Sequence, residues 1–192
     1  HDKINHAYAY GSLEGKAVES TIDAVNHFAG HNCSDYYFSI DMEPVPEIVD
    51  AIGGVEVDVG IDMKSNGANL SKGTQLLDGA KAFDYIHWRY GPDGDIGRIK
   101  RQQKFAKAMY KKLRDSGSLV DFVSIVLKYK DNIETNMSFK QMVGFAKLCS
   151  DIPGSCVNYY MIPGHAGKID GRWYWKLEEK KKNEIIEEFF LP

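Results

Sequence analysis

The 192-residue chain has no long apolar run, and its longest hydrophobic stretches are only a few residues. No segment of it reaches the length that spans a bilayer as a helix. No charged-then-apolar leader opens the sequence at His1, so no signal peptide is visible. Basic excess is also absent. The formal net charge is -3, which argues against bulk binding of nucleic acid. The motifs GxxxxGK[ST], HExxH and GxSxG do not occur, so ATP-loop, zincin and serine-hydrolase chemistry have no support. There is no internal repeat and no low-complexity tract.

Cysteine is scarce, with three residues. Cys149 and Cys156 bracket the short segment CSDIPGSC. A disulfide closing that loop is sterically allowed and would point to an oxidising compartment. Two reduced thiols fit the sequence equally well, and Cys33 is left over in either case. His27, His31 and Cys33 in HFAGHNC have a spacing compatible with metal ligation. A fourth ligand is not evident and Gly30 interrupts the helix, so a polar helix end is favoured.

What is present is enough for a core. Hydrophobic residues make up 43% of the chain, sufficient for one domain over 1–192 and too little for two full ones. Val18, Ile22, Val25 and Ala29 repeat at helical spacing, closed by Gly30. YYFSI (36–40) predicts a strand, and PVPEIVDAI a short helix stopped by Gly53 and Gly54. VEVDV (55–59) alternates as a half-buried strand does. SNGANLSKGTQ is polar and Gly-rich and predicts an exposed loop.

Asp78 is placed to cap a helix through LDGAKAFDYIHW, and Asp95 to cap the next, from Ile96 to about Asp115. That second helix would turn Ile99, Ala106, Met109, Tyr110 and Leu113 toward a core. Further helices are expected over about 119–130 and through FKQMVGFAKLC, with Ser138 and Gln141 at capping-box spacing. NYYMI (158–162) predicts a strand. EEKKKNEIIEEFF predicts a terminal amphipathic helix with Ile185, Ile186 and Phe189 inside. RWYWK (172–176) is an aromatic cluster; it either pins an element to the core, the favoured reading, or stacks on sugar rings. Alternating strands and helices favour an α/β layered domain.

The stretch YIHWRYGPDGDIGRIKRQQ (85–103) gathers His87, Arg89, Arg98, Lys100 and Arg101 around a Gly/Pro/Asp turn. Arg98 falls in the first turn of a predicted helix, where backbone N–H groups and the helix dipole favour an anion. Gln102 lies one turn further on the same face. Guanidinium forks suit phosphate oxygens. A phosphate or diphosphate therefore fits this chemistry. A solvated charged face, with Asp93 and Asp95 as local partners, fits it as well.

The order LDG, AxxYI, Arg, DIGR, RQQ resembles the LytR-CpsA-Psr family, whose segment reads about Tyr-Val-Arg-x-Arg, then Asp-x-Gly-Arg and Arg-Gln-Gln. KINHAYAYGS (3–12), IVDAIGGVEVDV (48–59), KGTQLLDGAKAFDYI (72–86) and TNMS (135–138) agree with it in order. The resemblance implies an α/β/α sandwich with a central mixed sheet and a lipid groove between sheet and helices. It implies an extracytoplasmic, membrane-anchored transferase that moves a glycopolymer from a polyprenyl diphosphate carrier to peptidoglycan through a phosphodiester. On matched positions Arg89 and Arg98 would hold the diphosphate, with His87 beside them. Gln102, Asp95 and Arg101 would support them. Arg101 is the arginine of the matched RQQ.

Two departures qualify this. His87 stands where the family has the first arginine of its pair, and an imidazole, with a reference pKa of about 6.5, is mostly neutral at pH 7. The family's N-terminal portion is also unmatched. That portion carries the membrane helix, opening strands, a further arginine and the aspartates that hold a divalent metal, Mg2+ being expected for the complete site. No metal ligand is assigned in this chain. A non-catalytic lipid-diphosphate or glycopolymer binding module is the alternative, and an envelope-related regulatory protein a third.

Overall fold

Valines alternate with acidic residues from Val55 to Val59, and that pattern organises half of the molecule. The structure is a computed structural model that describes residues 2–65, 67–115, 117 and 119–190. It divides into two compact units, one formed by residues up to Tyr37 together with those from Tyr160, the other by Phe38–Tyr159.

The second unit holds the elements β1 (Phe38–Ile40), α3 (Val45–Ala51), β2 (Val55–Val59), β3 (Gly73–Leu77), α4 (Gly79–His87), α5 (Gly94–Asp115), α6 (Leu119–Leu127), β4 (Ile133–Thr135) and α7 (Phe139–Asp151). β2 pairs antiparallel with β3 in the register Val55↔Leu77 to Val59↔Gly73. Val55, Val57 and Val59 all point to one face and are buried, as the period of two requires. Burying each valine contributes about 1.5–3 kcal/mol. α5 packs on β2, and Phe105 closes the same core with Tyr85, Ile86 and Trp88. β1 pairs antiparallel with β4.

α3 and α4 meet at close range. Asp50 Oδ1 accepts from the Gly79 backbone N–H at 2.8 Å. A Cβ on Gly79 would lie 2.1 Å from the Pro46 carbonyl oxygen, so only glycine admits this approach. Asp78 caps α4 as expected, accepting from the Lys81 N–H at 2.9 Å. The capping box of Ser138 and Gln141 starts α7.

The first unit holds α1 (His6–Ser12), α2 (Ala17–Ala29), β5 (Gly164–Ile169), β6 (Arg172–Leu177) and α8 (Glu179–Phe190). α2 ends at Gly30 in the left-handed conformation, as the sequence predicts. β5 and β6 form an antiparallel hairpin.

The α/β alternation is present, and the described strands are gathered in three antiparallel pairs. Several local expectations also change. NYYMI is not a strand; Tyr159, Tyr160 and Met161 lie exposed in a segment without regular structure. The polar loop 65–75 is not wholly exposed. Leu70 bridges to Met63, and both bury fully with Ala68 nearby; Asn66 lies outside the described residues. Two apolar residues in a polar segment are enough to fold it under the sheet.

On α5 the buried face runs through Phe105 and Leu113 with Ala108 and Met109, while Ile99 and Ala106 face outward. Tyr110 is half-buried. The expected face thus holds at Met109, Tyr110 and Leu113 and fails at Ile99 and Ala106, because β2 and α4 cover the start of the helix from the side of Phe105. Asp95 is inside the helix rather than its cap, since α5 begins at Gly94. On α8, Ile186 is buried but Phe189 is 44% exposed and stacks on Tyr160 at 4.6 Å between ring centroids. In β6 Trp175 donates to the Ile162 carbonyl at 3.0 Å, whereas Trp173 is 61% exposed, against the expected core role.

Candidate functional site

The junction between the end of α4 and the start of α5 places most of the predicted residues. A helix C-terminus leaves its last carbonyls without intrahelical partners. Here side chains of α5 take them up. Arg101 Nε donates to the Tyr85 carbonyl at 3.2 Å and its Nη2 donates to the Trp88 carbonyl. Gln102 Nε2 donates to the Ile86 carbonyl at 3.2 Å. The Arg101 guanidinium carbon also lies 5.2 Å from the centre of the Trp88 ring. A cation at a helix C-terminus is further favoured by the dipole.

Arg101 and Gln102 thus act as the clamp that joins two helices. Burial pushes the Arg101 guanidinium below its ordinary range, and the nearby Arg98 charge adds to this, while Tyr85 opposes it. Gly97 lies close beneath the clamp, where a Cβ would sit tightly, 3.3 Å from Arg101 Nη1 and 3.1 Å from Asp93 Cβ. Trp88 donates its indole N–H to Ser65 Oγ at 3.0 Å, and Gly91 leaves room for its ring.

Arg98 differs from its neighbour. Its side chain is 20% exposed, and Nη2 pairs with Asp95 Oδ1 at 2.9 Å. Its Nε is buried and has no hydrogen-bond partner among the described residues. A buried donor left unmade costs on the order of 1–3 kcal/mol. Arg98 is therefore a guanidinium held in a protein wall with one donor unspent. Arg89 is exposed, and no hydrogen bond or ion pair engages it among the described residues.

His87 is half-buried at the last turn of α4. Its Nδ1 is 3.0 Å from the Phe83 carbonyl, and its ring stacks on Phe83 at 3.9 Å. A carbonyl only accepts, so Nδ1 carries the proton. Nε2 then holds a lone pair in the neutral ring and becomes a donor only on protonation.

The remaining candidates fall elsewhere. Cys149 and Cys156 are free thiols, as is Cys33, so the first two are not joined. Cys149 lies half-buried near the end of α7, and burial raises its thiol; the Tyr110 hydroxyl contacts the Cys149 carbonyl at 2.6 Å and the Ile152 carbonyl at 3.0 Å, which fixes the segment between the cysteines on α5. Around His27, His31 and Cys33, Asn26 Oδ1 accepts from the Cys33 backbone N–H at 3.1 Å and closes a polar loop. Among the described residues no group of three His, Cys, Asp or Glu side chains is gathered to hold a metal ion. No described helix is long and apolar enough to cross a membrane.

Sequence reasoning found the cations but not their division of labour. It missed the Trp88 ring beside Arg101 and the tight fit at Gly97. The only sequence signal for that fit was a glycine one helical turn before Arg101.

These observations define a mixed helix/strand protein with an arginine-bearing helix junction. A model of the LytR_cpsA_psr family matches residues 1–190, and the chain belongs to that family. A "Polyisoprenyl-teichoic acid--peptidoglycan teichoic acid transferase TagU" of Bacillus mycoides (strain KBAB4) is 32% identical over 186 residues, covering 96% of this chain and 59% of its own length. The chain thus spans about three-fifths of the curated relative it matches. Among solved structures, an Enterococcus faecalis protein described as a transcriptional regulator superposes with a TM-score of 0.81 at 25% identity, covering 97% of this chain and 69% of that one. TagT bound to LI-WTA superposes with a TM-score of 0.75 at 25% identity, with coverage of 97% and 69%.

Proposed function

We propose that the chain binds the diphosphate of a polyprenyl-linked glycopolymer and that the complete protein transfers this polymer to peptidoglycan through a phosphodiester, on the outer side of the membrane. The observation that carries the reading is the Arg98 guanidinium, 20% exposed and held at the start of α5 by Asp95. Phosphate oxygens suit the part of this guanidinium fork that stays exposed. The relative's name, a polyisoprenyl-teichoic acid–peptidoglycan transferase, supports the substrate class.

In this reading Arg98 and Arg89 hold the diphosphate and draw charge from its bridging and leaving oxygens as transfer proceeds. Asp95 orients Arg98 through their ion pair. Arg101 and Gln102 position the site by clamping α4 to α5 and do not contact the phosphates. His87 adds a donor when protonated. Among the described residues no set of side chains is gathered to hold a divalent metal.

The test is calorimetric titration of the chain with a short-chain polyprenyl diphosphate. Arg98→Gln should weaken binding at least tenfold. Equal affinity in the variant would refute the assignment. Incubation with a lipid-diphosphate oligosaccharide, magnesium and a peptidoglycan acceptor then separates transfer from binding alone.

A further inference from the structure

Away from the α4–α5 junction, α5 carries Lys100, Lys104, Lys107, Lys111 and Arg114 at spacings i, i+4, i+7, i+11 and i+14. That pattern lines them along one face of the helix, opposite Phe105 and Leu113. A row of this kind is most often a solvated surface, and its first two members behave so. Lys100 pairs with Asp93 at 3.7 Å and Lys104 with Asp58 at 2.7 Å.

The last three cations are different, because a second wall stands beside them. Lys107, Lys111 and Arg114 line a cavity of about 490 Å³ with Tyr110 and the segment Pro153–Ser155. The Tyr110 hydroxyl holds that wall in place through the Cys149 and Ile152 carbonyls. Gly154 lets the guanidinium of Arg114 lie against the wall, since a Cβ there would be 2.7 Å from Nη1. Arg114 is partly neutralised by Asp115 at 2.5 Å. Lys107 and Lys111 are exposed and have no ion pair among the described residues. A groove therefore concentrates two uncompensated ammonium groups and a third, shared cation.

We propose that this groove binds successive phosphates of an anionic phosphodiester polymer. Two lysines at i and i+4, with Cβ atoms about 6 Å apart, can meet neighbouring phosphates of one extended chain. Arg114 lies about 10 Å from Lys107 along the helix axis and extends the track. The neutral lining of Pro153 and Gly154 leaves space for the polymer backbone. Only the choice of polymer as ligand rests on the function proposed above.

The probe is a fluorescently labelled glycerol-phosphate oligomer of defined length, titrated into the full chain and followed by anisotropy. The double variant Lys107→Gln, Lys111→Gln should lose about tenfold in affinity. Its plot of log K against log salt should become shallower, as fewer phosphates are neutralised. The control Lys180→Gln, Lys181→Gln removes the same charge from α8 and should leave affinity unchanged. The double variant Lys107→Gln, Lys111→Gln should leave binding of the short polyprenyl diphosphate unchanged, which keeps the two readings separable. Absent saturable binding, or equal losses in both double variants, overturns the groove. Lysine-dependent binding to phosphatidylglycerol vesicles without binding to the oligomer overturns the polymer assignment.

Discussion

The two halves of α5 carry the same residue types with opposite fates. At its start, arginines are sunk into the protein, and Arg101 spends its donors on the Tyr85 and Trp88 carbonyls. Toward its end, Lys107 and Lys111 stand in an open groove without ion pairs among the described residues. The difference lies in what the helix meets. The first half meets the frayed carbonyls of α4, which need donors. The second meets a short proline–glycine wall that leaves its cations facing solvent. A charge contributes to folding where it replaces a lost hydrogen bond, and to ligand binding where it is left unspent.

That contrast is open to direct attack. The largest expected effect is on stability. Arg101→Met removes the clamp and strands two carbonyls at the end of α4. It should destabilise unit 2 by about 2–3 kcal/mol in urea unfolding. Arg98→Gln, three residues earlier, loses only a partly exposed ion pair and should stay within about 1 kcal/mol of the parent. Similar losses in both variants would erase the distinction between clamp and ligand arginine.

A smaller effect is expected at the cap of α4. Asp78→Ala should cost about 1 kcal/mol. The Lys81 backbone N–H and side chain hold the Asp78 carboxyl below its ordinary value. A carboxyl lowered in the folded state stabilises above its unfolded pKa, near 3.9, and that stability fades as pH falls through the lower folded value. The gap between parent and variant should therefore be full at pH 7 and shrink below about pH 4. A gap independent of pH would mean that the carboxylate is not the cap.

The smallest effect concerns His87. His87→Arg supplies a permanent charge where the ring donates from Nε2 only when protonated. It should tighten binding of a short polyprenyl diphosphate a few-fold at pH 7.5. Unchanged affinity would remove His87 from the site.

Much of this was legible from residues alone, for a consistent reason. The caps at Asp78, Ser138 and Gly30 and the alternation of β2 are local, and local rules decide them. Long-range features were less legible. NYYMI has strand composition, but no described partner strand pairs with it. Leu70 lies in a polar loop, yet its bridge to Met63 draws it inside. On α5, Ile99 and Ala106 were misplaced because periodicity names a face only up to the neighbours that cover it, here β2 and α4.

By itself the sequence determined where helices begin, which strand hides its valines, and that cations gather around residues 85–103. Those depend on neighbours a few positions apart. Tertiary structure alone decided that Arg101 joins two helices, that Arg98 keeps an unmet donor, and that Lys107 and Lys111 line a groove. Each depends on which backbone groups of distant segments lie within hydrogen-bond reach, and spacing along the chain does not encode that distance.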